Sequence, residues 1–330
     1  MQSHPRPLRV AVLDDFQRVA RELADWPSIP DARVDFFHDP VKDQDSVVHL
    51  LQSYHVVCMM RERTRFPAAV LDRLLNLRLL TGTGARQTHV DMAAATRLGI
   101  LVCGTVGGRS GQSTAEIAWA LALSLSRQVP WEDRALREGR WQTRPSADLN
   151  GKTLGILGLG RIGSVVAGYG KAFGMRVVAW GPTLTEERAA KQGVAFLPYD
   201  EVFKQADVLS VHLQLSEMSR GLVKAKDLAL MKPTAFLINT ARSQIVDGQA
   251  LLDALTKKTI AGAGLDVYDE EPLPTNHPLT TLDNVVLTPH LGYSSRESLA
   301  DWYPQTVDNI KAFLAGKPVN VQNPEAVGKS

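Results

Sequence analysis

Short runs of wholly apolar residues alternate along this chain with stretches whose apolar positions recur every three or four residues. In the first third, "LRVAVLDD", "HVVCMM", "LRLLTGTG" and "GILVCG" are separated by segments such as "PAAVLDRLLN" and "HVDMAAATRLG". After Asn150-Gly151 the alternation restarts with "KTLGILGLG", "MRVVAWG", "DVLSVHL", "AFLINT", "AGAGLDV" and "NVVLTPH". Runs that are apolar throughout suit strands buried on both faces, and strands separated by helices imply βαβ units and parallel sheet. Two such series predict an α/β protein of two doubly wound domains. A long helix is predicted from about Ser113 to Arg127, then a polar arm. The Gly-rich stretch "CGTVGGRSGQS" (103–113) is the expected boundary. The segment "SRESLADWYPQTVDNIKAFLAG" reads as one more helix, and the pattern alone leaves open which domain it joins.

Composition narrows the function classes. With 37 Lys and Arg against 35 Asp and Glu, a net charge of +2 gives no field for gathering nucleic acid or anionic membrane. The most apolar long stretch, "AEIAWALALSLS" (115–126), is too short for a span, and "MQSHPRPLRVAVLDD" lacks the apolar core of a secretory signal. The expectation is a cytoplasmic protein with a small-molecule partner, no nucleic acid and no membrane. Cys58 and Cys103 each lie in an apolar run and read as reduced, buried thiols; no Cys or His spacing suggests a metal.

Gly158, Gly160 and Gly163 fit G-x-G-x-x-G between an apolar strand and a helix that runs toward Gly174. Such a turn brings backbone close to a pyrophosphate and meets its charge with helix N-terminal amides, so a dinucleotide is expected. A carboxylate about 20 residues past the first glycine commonly holds the ribose hydroxyls of NAD and repels the 2′-phosphate of NADP. Gly181 stands there instead, with Thr183, Thr185, Arg188 and Lys191 following, so NAD and NADP both remain open.

Three downstream pieces carry chemistry: "LINTARSQIVD" (237–247), "LDVYDEEPLP" (265–274) and "LTPHLGY" (287–293). Each lies at or just past the end of a predicted strand, where ligands bind in α/β sheets. An Arg able to clamp a carboxylate and a His able to pass a proton suit reversible reduction of a 2-keto acid by a nicotinamide. His212 reads as structural or as lying beside the adenine. The turn "MRERTRF" is either a solvated basic face or, through Arg61, a contact to substrate.

With "GLGRIG", "NTAR", "LDVYDEEPLP" and "TPHLG" in this order, nearly the whole chain resembles the D-isomer-specific 2-hydroxyacid dehydrogenases, which include glyoxylate/hydroxypyruvate reductases and phosphoglycerate dehydrogenases. The resemblance implies Arg242, Glu271 and His290 as the catalytic set. It places Thr114, Gly158, Gly160, Arg161, Ile162, Gly163, Thr240, Ala241, Asp266 and Gly292 at the cofactor, with Asp266 on the nicotinamide carboxamide and Thr114 near the phosphate. "TGTGARQTHVD" resembles the turn whose amides bind the substrate carboxylate, which puts Gly84 and Ala85 there beside Arg61. The implied architecture is a Rossmann NAD(P)-binding domain (108–291) inserted into a flavodoxin-like substrate domain (1–107 and 292–330). A homodimer is implied, joined through the long helix and the arm that carry Trp119, Trp131 and Trp141. Ser243 after Arg242, Gly181, and "GTVGGRSG" in place of N-x-P-G depart from the usual pattern. The expected substrate is of the glyoxylate or hydroxypyruvate type; the alternatives are a phosphoglycerate dehydrogenase-like enzyme or a nicotinamide-sensing binding protein of the same fold with a similar triad.

Overall fold

The computed structural model describes residues 7–41, 43–107 and 110–328, with only the backbone of Ser110. The chain divides into two compact units, Met1–Arg109 with Arg296–Ser330, and Ser110–Ser295. The second break lies a few residues beyond the boundary that the sequence suggests.

In the first unit, strands β1 (Leu8–Val12), β2 (Ala32–Phe36), β3 (Val56–Met59), β4 (Leu79–Gly82) and β5 (Leu101–Cys103) form a parallel sheet in the order β2-β1-β3-β4-β5. This is the flavodoxin-like order. Every residue of β3 and β4 is buried, as strands covered by helices on both faces require. Phe66, Leu71, Leu74 and Leu80 fill one side of the core. The helix Arg296–Leu314 belongs to this unit, where Asn309 donates from Nδ2 to Thr81 Oγ1 at 3.1 Å and to the Gly104 carbonyl at 2.8 Å. Cys58 and Cys103 are buried free thiols.

The second unit holds β6 (Thr153–Leu157), β7 (Arg176–Trp180), β8 (Ala195–Phe196), β9 (Val208–Val211), β10 (Phe236–Asn239), β11 (Gly262–Leu265) and β12 (Val285–Leu287). They pair in parallel as β12-β11-β10-β9-β6-β7-β8, the Rossmann order with a seventh strand, reversing between β6 and β9. The long helix is Ser110–Ser126. Its Trp119 is 8% exposed and sits edge-on to Phe173 at 4.9 Å, so this indole takes part in the unit's own packing. Among the described residues, no helix is long and apolar enough to cross a membrane.

Asp14 follows β1 at the point where the first sheet reverses. Its φ is 58°, and it is only 4% exposed. Thr64 Oγ1 donates to its Oδ2 at 2.9 Å, yet burial outweighs this bond and the nearby Arg63 and pushes its pKa up to about 6 from 3.8. The folded state therefore holds this proton more tightly than the unfolded chain. The resulting cost to stability is absent below about pH 4, grows between pH 4 and 6, and is full above pH 6. Asn keeps an acceptor for Thr64 and tolerates the left-handed backbone. Asp14→Asn is expected to stabilise the protein by about 2–3 kcal/mol at pH 8 and by almost nothing at pH 4, read by urea denaturation. An equal gain at both pH values would contradict the assignment.

Candidate active site

The first strand of the second sheet runs directly into the glycine turn, and each glycine there answers a different steric demand. Gly158 has φ 99°, its amide donates to the Trp180 carbonyl at 2.7 Å, and a Cβ on it would lie 2.9 Å from the backbone of His212. A side chain on Gly163 would overlap the Gly158 carbonyl, so its absence lets the helix Arg161–Ala172 close on the strand. A Cβ on Gly160 would meet nothing within 4 Å. That open side lies at a helix N-terminus which no side chain caps, and the pair of features forms a cradle suited to a pyrophosphate. Ile162 is half-buried against the core, while the exposed Arg161 turns its guanidinium toward Gly111.

At the end of β10, Asn239 braces the next turn from within. It is 2% exposed, its Oδ1 accepts from the Ala241 amide at 3.0 Å, and its Nδ2 donates to the Arg242 carbonyl at 3.0 Å. Arg242 Nη1 donates to the Ala241 carbonyl at 2.8 Å. Thr240 is 6% exposed and its hydroxyl has no hydrogen-bond partner, a deficit that a buried polar atom seldom carries without a ligand to meet it. The open cradle and this hydroxyl, on one sheet edge, fit a dinucleotide.

The segments after β11 and β12 bring a carboxylate and an imidazole together. His290 Nδ1 lies 2.7 Å from Glu271 Oε2, and each side chain is 20% exposed. The Tyr268 amide donates to the other Glu271 oxygen at 2.9 Å, so the carboxylate is fixed before it meets the ring. His290 adopts φ 53°, and its amide closes a short turn onto the Thr288 carbonyl at 2.9 Å. Asp266 is fully buried. Its oxygens accept from Thr288 Oγ1 at 2.6 Å, the Leu291 amide at 2.7 Å and the Gly292 amide at 2.8 Å. Burial raises its pKa while these three bonds and His290 oppose the rise. Through these bonds Asp266 braces the loop that carries His290. Thr114 Oγ1 donates to the Gly292 carbonyl at 2.7 Å, tying the long helix to the same loop.

In the first unit, Arg61 has φ 49°, and its amide donates to Thr83 Oγ1 at 2.9 Å. Its guanidinium fills the space that a side chain on Gly84 (φ 92°) would need, 3.7 Å from Glu62 and 5.8 Å from the Trp302 ring centre. Of the two amides expected to meet the substrate, that of Gly84 donates instead to Thr105 Oγ1 at 2.8 Å; Ala85 is exposed.

Glycines, Arg and His were visible in the motifs, whereas the braces Asn239, Tyr268, Thr288 and Thr105 were not. Asn239 and Tyr268 stand inside "LINTAR" and "LDVYDEEP", yet only the tertiary contacts give them work. His212 follows β9, with Ser210 Oγ 2.8 Å from its Nε2, and burial lowers its pKa to about 4. It is a neutral ring beside the glycine turn.

Comparison with known proteins agrees with this geometry. The profile described as "D-isomer specific 2-hydroxyacid dehydrogenase, NAD binding domain" matches residues 119–292. A glyoxylate reductase of Aeropyrum pernix is 40% identical over 273 residues, 80% of this chain and 81% of the relative. A D-3-phosphoglycerate dehydrogenase of Archaeoglobus fulgidus is 35% identical over 84% of this chain, which spans only 52% of that relative. The crystal structure of a phosphoglycerate oxidoreductase from Vibrio cholerae superposes with a TM-score of 0.89 at 35% identity, covering 93% of this chain and 99% of the other. With a Rossmann unit, a glycine cradle and a His–Glu pair on one sheet edge, the chain belongs to the D-isomer-specific 2-hydroxyacid dehydrogenases, a family of NAD(P)-dependent oxidoreductases.

Proposed function

We propose that the protein reduces small 2-keto acids of the size of glyoxylate or hydroxypyruvate to 2-hydroxy acids, of D configuration where the product is chiral. The observation that carries this reading is the 2.7 Å His290–Glu271 pair on the sheet that also carries the glycine turn. The nicotinamide, when bound, supplies the hydride. Glu271 holds Nδ1 of His290, which leaves Nε2 as the nitrogen that passes a proton to the carbonyl oxygen. Arg242 pairs with the substrate carboxylate and polarises its carbonyl through two N–H donors. Arg61 and the Ala85 amide are assigned to the substrate's acidic group, with Gly84 making room for the guanidinium. The pyrophosphate is assigned to the amides of Gly160, Arg161, Ile162 and Gly163, with Gly158, whose own amide is held by the Trp180 carbonyl, turning the chain beneath it. Thr240, Ala241, Asp266, Gly292 and Thr114 are assigned to the nicotinamide end and its phosphate.

Initial rates of NADH and NADPH oxidation over a panel of 2-keto acids test this, with turnover expected on glyoxylate and hydroxypyruvate. Bound cofactor with no turnover on any acid would reject the reading in favour of a nicotinamide-sensing binding protein. A phosphoglycerate-type substrate needs further cations. Of Arg61, Arg63 and Arg65, the first is already assigned to the acid's carboxylate and the second acts on Asp14, which favours the smaller acids.

NADPH is proposed to serve beside NADH. A Cβ on Gly181 would sit 3.4 Å from Leu184 Cβ and 3.7 Å from Gly158 Cα, ordinary contacts, so packing leaves room for the carboxylate that the sequence lacks. Gly181→Asp is therefore expected to fold and to weaken NADPH binding relative to NADH by about tenfold or more, since like charges would be brought together. Fluorescence titration with both cofactors reads the ratio, and an unchanged ratio would dismiss Gly181 as a selector. Val129, Leu136 and Trp141 are exposed at 54%, 58% and 76% on the helix Val129–Arg137 and the arm beyond it, an apolar surface that supports the homodimer.

A further inference from the structure

We propose that Gln322, near the C-terminal end of the chain, is a positioning residue that aims the backbone amide of Arg86 at the substrate's acidic group. This rests on the reading that the turn beginning at Gly84 holds that group. The segment carrying Gln322 is locked onto the edge of the first sheet. Val321 forms an antiparallel bridge with Cys103, the Gln322 amide donates to the Val102 carbonyl at 2.8 Å, and the Gly104 amide donates to the Asn320 carbonyl at 3.0 Å. Asn323 adds three bonds, accepting from the Val102 amide at 2.8 Å and donating to the Ile100 carbonyl at 2.9 Å and to Thr96 Oγ1 at 3.2 Å.

From this fixed backbone the Gln322 side chain acts as a peptide group would. Its Nε2 donates to the Ala85 carbonyl at 3.1 Å, and its Oε1 accepts from the Gln87 amide at 3.1 Å. One side-chain amide thus grips two residues of the turn, one on either side of Arg86. Gly104 has no side chain where the Gln322 Nε2 lies, so the space for this grip is built into the sheet edge. A second amide, that of Gln87, is 2% exposed beneath the turn and donates to the Gly84 carbonyl at 2.9 Å, where the Thr105 amide also donates at 3.1 Å.

These anchors matter because a trans peptide is planar and its N–H points opposite to its C=O. Holding the Ala85 carbonyl toward Gln322 turns the Arg86 N–H away from it. Holding the Gly84 carbonyl inward does the same for the Ala85 N–H. Two consecutive N–H groups directed outward from an exposed turn make an anion site. With the Gly84 amide given to Thr105, Arg86 replaces Gly84 as the second backbone donor.

Gln322→Met keeps the length of the side chain and removes both hydrogen bonds. Hydrogen exchange across 84–88 in the free protein is expected to accelerate by about tenfold, the value of a lost hydrogen-bond pair net of solvent. KM for glyoxylate is expected to rise by about tenfold, with kcat and the NADH dissociation constant changed by less than about twofold. Gln322→Glu, which keeps the acceptor but sets a carboxylate against the Ala85 carbonyl, is expected to fall in the same direction and serves if the Met variant does not fold. Unchanged exchange at the turn, or KM and cofactor affinity moving together, would overturn the proposal. Faster exchange in a protein whose wild type turns over no keto acid would uphold the clamp and defeat the substrate reading instead.

Discussion

His290→Gln is expected to lower kcat for 2-keto acid reduction by about 10²- to 10⁴-fold, the usual worth of a positioned general acid, with NADH affinity unchanged. The amide of Gln can still donate toward Glu271, so the loop keeps a polar partner, but it has no proton to release to a carbonyl oxygen. The loop itself stays anchored through the three hydrogen bonds to Asp266, which do not involve the imidazole. Stopped-flow oxidation of NADH measures the chemical step, and tryptophan quenching measures cofactor binding. A variant that reduces glyoxylate at the wild-type rate would remove His290 from the mechanism. Because φ at this position is 53°, His290→Asn, better suited to that backbone, makes the second variant and separates lost chemistry from lost conformation.

Arg242→Lys is expected to lower kcat/KM by about 10²- to 10³-fold although the positive charge remains, because an ammonium cannot present the planar pair of donors that a carboxylate accepts. The braces from Asn239 to Ala241 and Arg242 are made by backbone atoms of the turn and survive the change. The loss therefore belongs to the substrate step. A KM rise with kcat intact would say that Arg242 binds the ground state only, and a variant with wild-type kcat/KM would exclude it from the site.

The predicted strands are those with unbroken apolar runs, most plainly β3, β4 and β9, which are buried throughout, and also the half-buried edge strand β12. The pattern passes over β2 and β8. Both are edge strands, β2 reading "ARVDF" with Arg33 and Asp35 set among half-buried positions and β8 having two residues, so neither produces a continuous apolar run. The site divides in a similar way. Gly158, Gly160 and Gly163 are legible because their chemistry is local to one turn, and Arg242 and His290 because each follows a strand end. Gln322 could not be read at all, since its partner Gln87 lies 235 residues away and nothing near either residue announces the other. Trp119 was left between core and interface because an indole on an apolar helix looks the same in sequence whether its own unit or another chain covers it.

The two native thiols have a practical consequence. Cys58 and Cys103 are both buried, and burial pushes the Cys103 thiol up to about 12 and that of Cys58 higher still, so neither yields thiolate at neutral pH. The unmodified protein should therefore stay silent toward maleimide reagents. A fluorophore pair on cysteines introduced at exposed positions, one in each unit, could then be attached without first removing the native thiols, and the distance between the two units followed by energy transfer as cofactor and acid are added.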